Sequence, residues 1–350
     1  MHMRIFVIGA AMAATLGSAK AEQAADDHLG TVHFPIACGA VQTKFDRAVA
    51  LLHNFFYPET VKAFQAVIQE DPGCAIAYWG LAMSELPNPL VPPFPPANLK
   101  AGWEAIQQGK AANTQTPRET EYLAAIEVFY KDYDKVDHKT RAERYEQAME
   151  RLHEHHPEDS EAAIFYALAL NGAVDFDDKN FTKQLKAAGI LNEEAKKQPN
   201  HPGIAHYLIH SYDFAPLAAM CVPTAQLYDK IAPNAFHALH MPSHIYSILG
   251  MWEDSVCSNL ASKTSANDYE AKNFPDTTHP WRAPHVGFPC LRLPANGEGR
   301  RSQAACRLAS KAQKVPLRFA GDRHGLSRHS TALCARARRL GRGGAVACPR

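Results

Sequence analysis

Apolar residues return at steps of three and four along most of this chain. The pattern is clear in FDRAVALLHNFF (45–56), TVKAFQAVIQ (60–69), AIAYWGLAM (75–83), EYLAAIEVFY (121–130), EAAIFYALAL (161–170) and SHIYSILG (243–250). That spacing gathers the apolar positions on one face of a helix, whereas a half-buried strand needs strict alternation, and no convincing alternating run appears. Punctuation falls where helices must stop and start. Thr116-Pro117-Arg118-Glu119 reads as an N-cap, a proline at the first helical position and a capping glutamate. Asp71-Pro72, His156-Pro157, Gln198-Pro199 and Ala232-Pro233 each close one helical stretch and precede another. LPNPLVPPFPPANL (86–99) interrupts the pattern and reads as an extended, rigid surface linker, with partner docking as the alternative.

The prolines are phased. Pro199 and Pro233 are 34 residues apart, and the unit after Pro233 runs to LGMWEDSV (249–256), with Gly250 and Trp252 at a helix–helix turn. A 34-residue period with a turn glycine and a closing proline predicts a helical-hairpin repeat. AFQAVIQEDPGCAIAYWG (63–80) has the same order of helix, Asp-Pro and helix. The predicted fold class is therefore all-α, an α-solenoid of antiparallel helix pairs. Irregular spacing elsewhere predicts longer helices and loops decorating the array.

The body resembles a family of exported bacterial tetratricopeptide-repeat proteins over about residues 31–265. HFPIACG, FDRAVALLHNFFYPE, DPGCAIAYWGLAMS, EAAIFYALAL, HPGIAHYLIHSYD and HALHMPSHI carry the likeness. The resemblance implies an α-solenoid with a binding role, whose concave groove takes a peptide or protein partner; it implies no established chemistry.

Charge divides the chain. Residues 281–350 hold 15 Lys or Arg against 2 acidic residues, leaving 22 basic and 34 acidic residues in the first 280. A basic tail would ordinarily point to nucleic acid. Here, however, residues 282–350 contain no Tyr, Ile, Met or Trp, hold 13 Arg against 2 Lys, and lose the helical periodicity. With permitted codons, a one-base shift of CLRLPANGEGRRSQAA (290–305) can read AYAYLQMAKDAEAKQ, which again looks like a repeat helix. The expectation is a reading frame lost near residues 270–284, a tail (281–350) that is not a native domain, and no nucleic-acid role. Resequencing the gene across this region tests it.

The N-terminus, MHMRIFVIGAAMAATLGSAKA, has a short basic start and an apolar stretch from Ile5 to Gly17, too short to span a bilayer. It reads as a signal peptide (1–21) cut before Glu22. That predicts a periplasmic or secreted helical domain over 22–280 with no membrane span once the signal is removed. Export permits disulfides. Cys38, Cys74, Cys221 and Cys257 allow three pairings. The expected one is Cys38–Cys74, flanking the first helical pair, with buried thiols as the alternative.

The candidate chemistry lies in the histidines. HYLIHSY (206–212) returns as HMPSHIY (240–246), so His206 and His240 share one slot of the period and His210 and His244 another. Positions i and i+4 lie on one helix face, and equivalent slots of successive repeats stack, so four imidazoles are expected to converge. Asp213 and His237 point the same way. Imidazoles on facing helices can build a metal site, with a divalent ion such as zinc held by His206, His210, His240 and His244, or by three of them with Asp213. A three-ligand ion would keep an open position able to activate water. Two other readings stand beside it: a groove binding an anionic or peptide ligand, and plain packing inherited by duplication. Pro242 enters the second helix, and a helix starting there would move His237 and His240 off the shared face.

Little else specifies chemistry. HExxH is absent, HEHH (153–156) has the wrong order, and the DFDD turn at Asp175, Asp177 and Asp178 lacks the spacing and glycine of a calcium loop. Phe55, Phe56, Tyr57, Tyr78 and Trp79 read as repeat core. The leading functional reading is a groove-binding scaffold, and the alternative is a metal-binding protein or metal-dependent hydrolase.

Overall fold

The computed structural model of the chain describes residues 28–113 and 115–273. The expected signal peptide (1–21) and tail (281–350) lie outside the described residues, as does any loss of frame beyond residue 273. Within them the regular elements are helical: α1 (Gln42–His53), α2 (Tyr57–Glu70), α3 (Ala75–Ser84), α4 (Pro96–Ala111), α5 (Pro117–Tyr130), α6 (His138–His155), α7 (Ser160–Gly172), α8 (Thr182–Lys197), α9 (Pro202–Tyr212), α10 (Val222–Ile231), α11 (Phe236–His240), α12 (Pro242–Ile248) and α13 (Trp252–Asn273), with 3₁₀ turns at Gly39–Val41 and Ala218–Cys221. None of these helices is long and apolar enough to cross a membrane.

The punctuation acts as expected at α5. The Thr116 hydroxyl accepts the Glu119 amide at 3.2 Å, and the Glu119 carboxylate accepts the Thr116 amide at 2.6 Å. The second carboxylate oxygen accepts the Ala37 amide at 2.8 Å, tying the N-terminal segment to the helix start. Proline serves as an initiator at α4 too, which begins at Pro96 inside the stretch expected to be linker throughout. Proline at the first helical position lacks only an N–H that would have had no partner there.

Consecutive helices pack against one another from α1 to α10, and α11 and α12 both lie on α13. The joints are tight: a Cβ on Gly80 would fall 2.1 Å from the Phe64 ring, so glycine lets α3 approach α2. One core runs from Phe34 through Trp79, Tyr122 and Phe165 to Tyr207. A second joins Phe56, Ile209, Tyr228, Phe236 and Ile245. In a purely one-dimensional stack each repeat touches only its neighbours. Here α1 also packs against α9, and the Thr31 amide donates to the Asn200 carbonyl at 3.0 Å. The α1–α2 turn meets α11 and α13, where Phe56 stands 4.7 Å from Phe236 and 5.0 Å from Tyr269, ring centre to ring centre. This closure brings residues 150 positions apart into one site.

Cys38 and Cys74 form a disulfide, at a sequence separation of 36, and Cys221 is a buried free thiol. Closing a loop of that length removes roughly 4 kcal/mol of unfolded-chain entropy. Cys38→Ser or Cys74→Ser is expected to lower unfolding free energy by about 2–4 kcal/mol in urea titration. An unchanged midpoint would show that the bond adds nothing.

Candidate metal centre

The site grows from the two ends of α9 and the turn that faces it. Pro202 starts α9 and puts His206 and His210 one turn apart on the side facing α11. His206 is fully buried at the floor, while His210, His237, His240 and His244 are partly exposed. The His206 Nε2 stands 3.1 Å from the Nε2 of His210 and 3.1 Å from the Nε2 of His237. These three residues can each present one ligand atom to a common point. Beside them, the Nε2 atoms of His240 and His244 also face each other at 3.1 Å.

The sequence period placed His206 with His240 and His210 with His244. The rings of His210 and His244 do come within 6.2 Å, but His206 meets His237, at 4.9 Å, so part of the register is 31 residues rather than 34. Asp213, at the end of α9, follows the same shorter step: its carboxylate accepts from His244 Nδ1 at 2.8 Å. A helix does begin at Pro242, but Met241 keeps a right-handed helical backbone. His237 and His240 stay on the shared side, with His237 Nε2 3.1 Å from His206 Nε2 and His240 Nε2 3.1 Å from His244 Nε2.

The far nitrogens of three of these rings are occupied. His206 Nδ1 contacts the His53 carbonyl at 2.6 Å. That oxygen is one of the carbonyls left open at the C-terminus of α1. His240 Nδ1 contacts Asn259 Oδ1 at 2.7 Å, and the Asn259 amide group is itself committed to the Ser255 carbonyl at 2.8 Å. A carbonyl, an amide oxygen and a carboxylate only accept, so these three Nδ1 atoms must be the donors. Burial favours the neutral form of His206, whose Nε2 lone pair then points inward. Two ring nitrogens 3.1 Å apart are held together where a proton or a cation lies between them. For a tetrahedral ion at 2.0–2.1 Å from each nitrogen, ligand nitrogens sit about 3.4 Å apart. The 3.1 Å spacings from His206 are within a few tenths of an ångström of that edge, and the ligand atoms of His210 and His237 lie within 4.8 Å of each other. An Nδ1–H held by an oxygen is the usual support of a metal-binding imidazole.

The α1–α2 turn walls the site. Phe55 stacks at 24° on His237 with centres 5.5 Å apart and meets His206 edge-on at 4.3 Å. It does so with φ of 51°, a left-handed conformation costly for a phenylalanine and found where surrounding structure over-determines it. Burial is the main force holding His206, His210 and His237 below the ordinary imidazole range, and neighbouring histidines add to it; His210 falls to about 3. Neutral rings are the form a metal requires.

Directly behind lies a second, fully buried group. The Glu161 carboxylate accepts from His53 Nε2 at 3.0 Å and His201 Nε2 at 2.9 Å, and the Tyr207 hydroxyl meets His53 Nδ1 at 2.9 Å. A Cβ on Gly203 would fall 2.4 Å from His53 Nδ1, so α9 needs glycine there. Burial opposes ionisation of Glu161, but His201 and His53 outweigh it and hold the carboxyl well below its usual range. His53, Phe55, Glu161, His201 and Asn259 escape sequence reading. Only the HNFF run after a helical stretch marks the first two, and nothing local marks their distance from α9. A comparison with protein-family models and a search of curated proteins each find no match for this chain.

Proposed function

We propose that this protein is an exported metal-binding helical-repeat protein of tetratricopeptide type, with its primary ion held by His206, His210 and His237. The observation that carries the reading is the set of facing Nε2 atoms at 3.1 Å, with the far nitrogen of His206 committed to an oxygen acceptor. Zinc suits three imidazoles, and copper or nickel would also be accepted by this donor set. Three protein ligands leave a fourth position open on the exposed side, where water or a group of a bound partner can enter. The disulfide supports an oxidising compartment outside the cytoplasm. The 34-residue proline phase and the consecutive packing of α1 to α10 support the repeat class.

Elemental analysis of the purified full chain is the test, run beside His206→Ala. At least one equivalent of metal in the wild type, with affinity reduced roughly 100-fold or more in the variant, is the expected result. A wild type that takes up no metal, with no change in melting temperature on adding zinc, would leave a groove for a peptide or anionic ligand as the better reading.

A further inference from the structure

His240 and His244 are not needed by the ion described above, yet they are arranged as deliberately as its ligands. Both side chains are fixed from behind, His240 by Asn259 at 2.7 Å and His244 by Asp213 at 2.8 Å. Their Nε2 atoms face each other, 3.1 Å apart, on the partly exposed side of the cluster. Within this pair the ring centres are 5.0 Å apart, matching the 4.9 Å of His206 with His210 and of His206 with His237. Between the two sets the nearest centres open to 6.0 Å for His237 with His240 and 6.2 Å for His210 with His244. Rings sharing one tetrahedral ion at 2.0–2.1 Å have centres about 5 Å apart. By this measure His240 pairs with His244, and His206 pairs with both His210 and His237.

We propose that His240 and His244 bind a second divalent cation beside the first, making the cluster a two-ion centre. The inference rests on the metal-binding reading above. Two protein nitrogens leave the second ion with at least two open positions on the exposed side. It is therefore the weaker and more exchangeable ion, and its vacant positions suit water or the oxygen atoms of a small anion. Neighbouring ions in such centres are usually about 3.5–4 Å apart and can share one water. Asp213 acts through His244, as a carboxylate that fixes its tautomer and increases its basicity.

The experiment is equilibrium dialysis of chelator-treated full-length protein against Zn2+ at pH 7.5, a pH that limits competition by protons. Wild type is expected to bind two ions per chain, the second roughly 100-fold more weakly for having one imidazole fewer. The His240→Ala/His244→Ala double variant is expected to keep the tight ion and lose the weak one. A wild type saturating at one ion overturns the second site and leaves the first intact. A wild type binding none overturns both. A double variant with unchanged circular dichroism that binds nothing would mean one shared shell and would also overturn the second site. Should that variant misfold, the wild-type stoichiometry still decides the matter, and Asp213→Asn supplies a gentler probe, expected to weaken only the second ion by about 10-fold.

Discussion

Lowering the pH from 7.5 to 5.5 in the presence of a chelator is expected to bring the metal-free protein to the edge of unfolding. His53, His206, His210 and His237 all have imidazoles held below their ordinary value, chiefly because burial disfavours the charged form. In the unfolded chain each takes up a proton near pH 6.5. The sign follows: the unfolded state binds more protons below that pH, so stability is fully present above about 6.5 and is lost as pH falls toward the folded values. Each group costs about 1.4 kcal/mol per pH unit once well below 6.5. His206, His210 and His237 together cost about 4 kcal/mol by pH 5.5, close to the whole stability of a marginal domain, and His53 acts in the same direction. Urea midpoints at pH 7.5, 6.5 and 5.5 read the effect directly, and a flat profile over that range would refute it. Saturating zinc should shift the loss to lower pH, because the ion competes with protons for the same lone pairs.

Much of the scaffold is legible in the sequence, and the reason is local. The apolar runs at 75–83, 121–130 and 161–170 fall within α3, α5 and α7, because spacing and capping are properties of a few consecutive residues. The run at 45–56 shows the limit. Its helix stops at His53, and Phe55 and Phe56 continue the apolar pattern while forming a buried turn with a left-handed residue. Periodicity records burial and cannot separate a core helix from a core turn. At the site, His206, His210, Asp213, His237, His240 and His244 could all be named from a repeated spacing. The grouping into a set of three and a set of two could not, since the observed register across α9 and α11 departs from the sequence period by three residues. The supporting groups were out of reach for another reason. His53 meets His206 across 153 positions and Glu161 across 108, contacts created by the closure of α1 onto α9 and α7.

Glu161→Ala is expected to cost about 3–5 kcal/mol, the usual penalty for removing one partner of a buried ionic network. The carboxylate is 2% exposed and is shared by two imidazoles that have no water to turn to. His201 would lose its acceptor with Nδ1 already buried and without a partner, leaving both ring nitrogens unsatisfied. His53 would keep Tyr207 and its ring contacts with Phe165 and His201. Glu161→Gln keeps the volume and one oxygen acceptor, so a smaller loss of about 1–3 kcal/mol is expected. Chemical denaturation separates the two, and an Ala variant within 1 kcal/mol of wild type would show that the network carries little stability. The same variants report on the metal. The main-chain carbonyl of His53 holds His206 Nδ1, so loosening the His53 side chain is expected to shift the end of α1 and disturb the orientation of the buried ligand. Zinc affinity should fall about 10–100-fold in whichever variant remains folded, as for other losses of groups that orient ligands. Unchanged affinity alongside a large stability loss would confine Glu161 to the core and leave Phe55 and the α1 terminus to orient His206 without it.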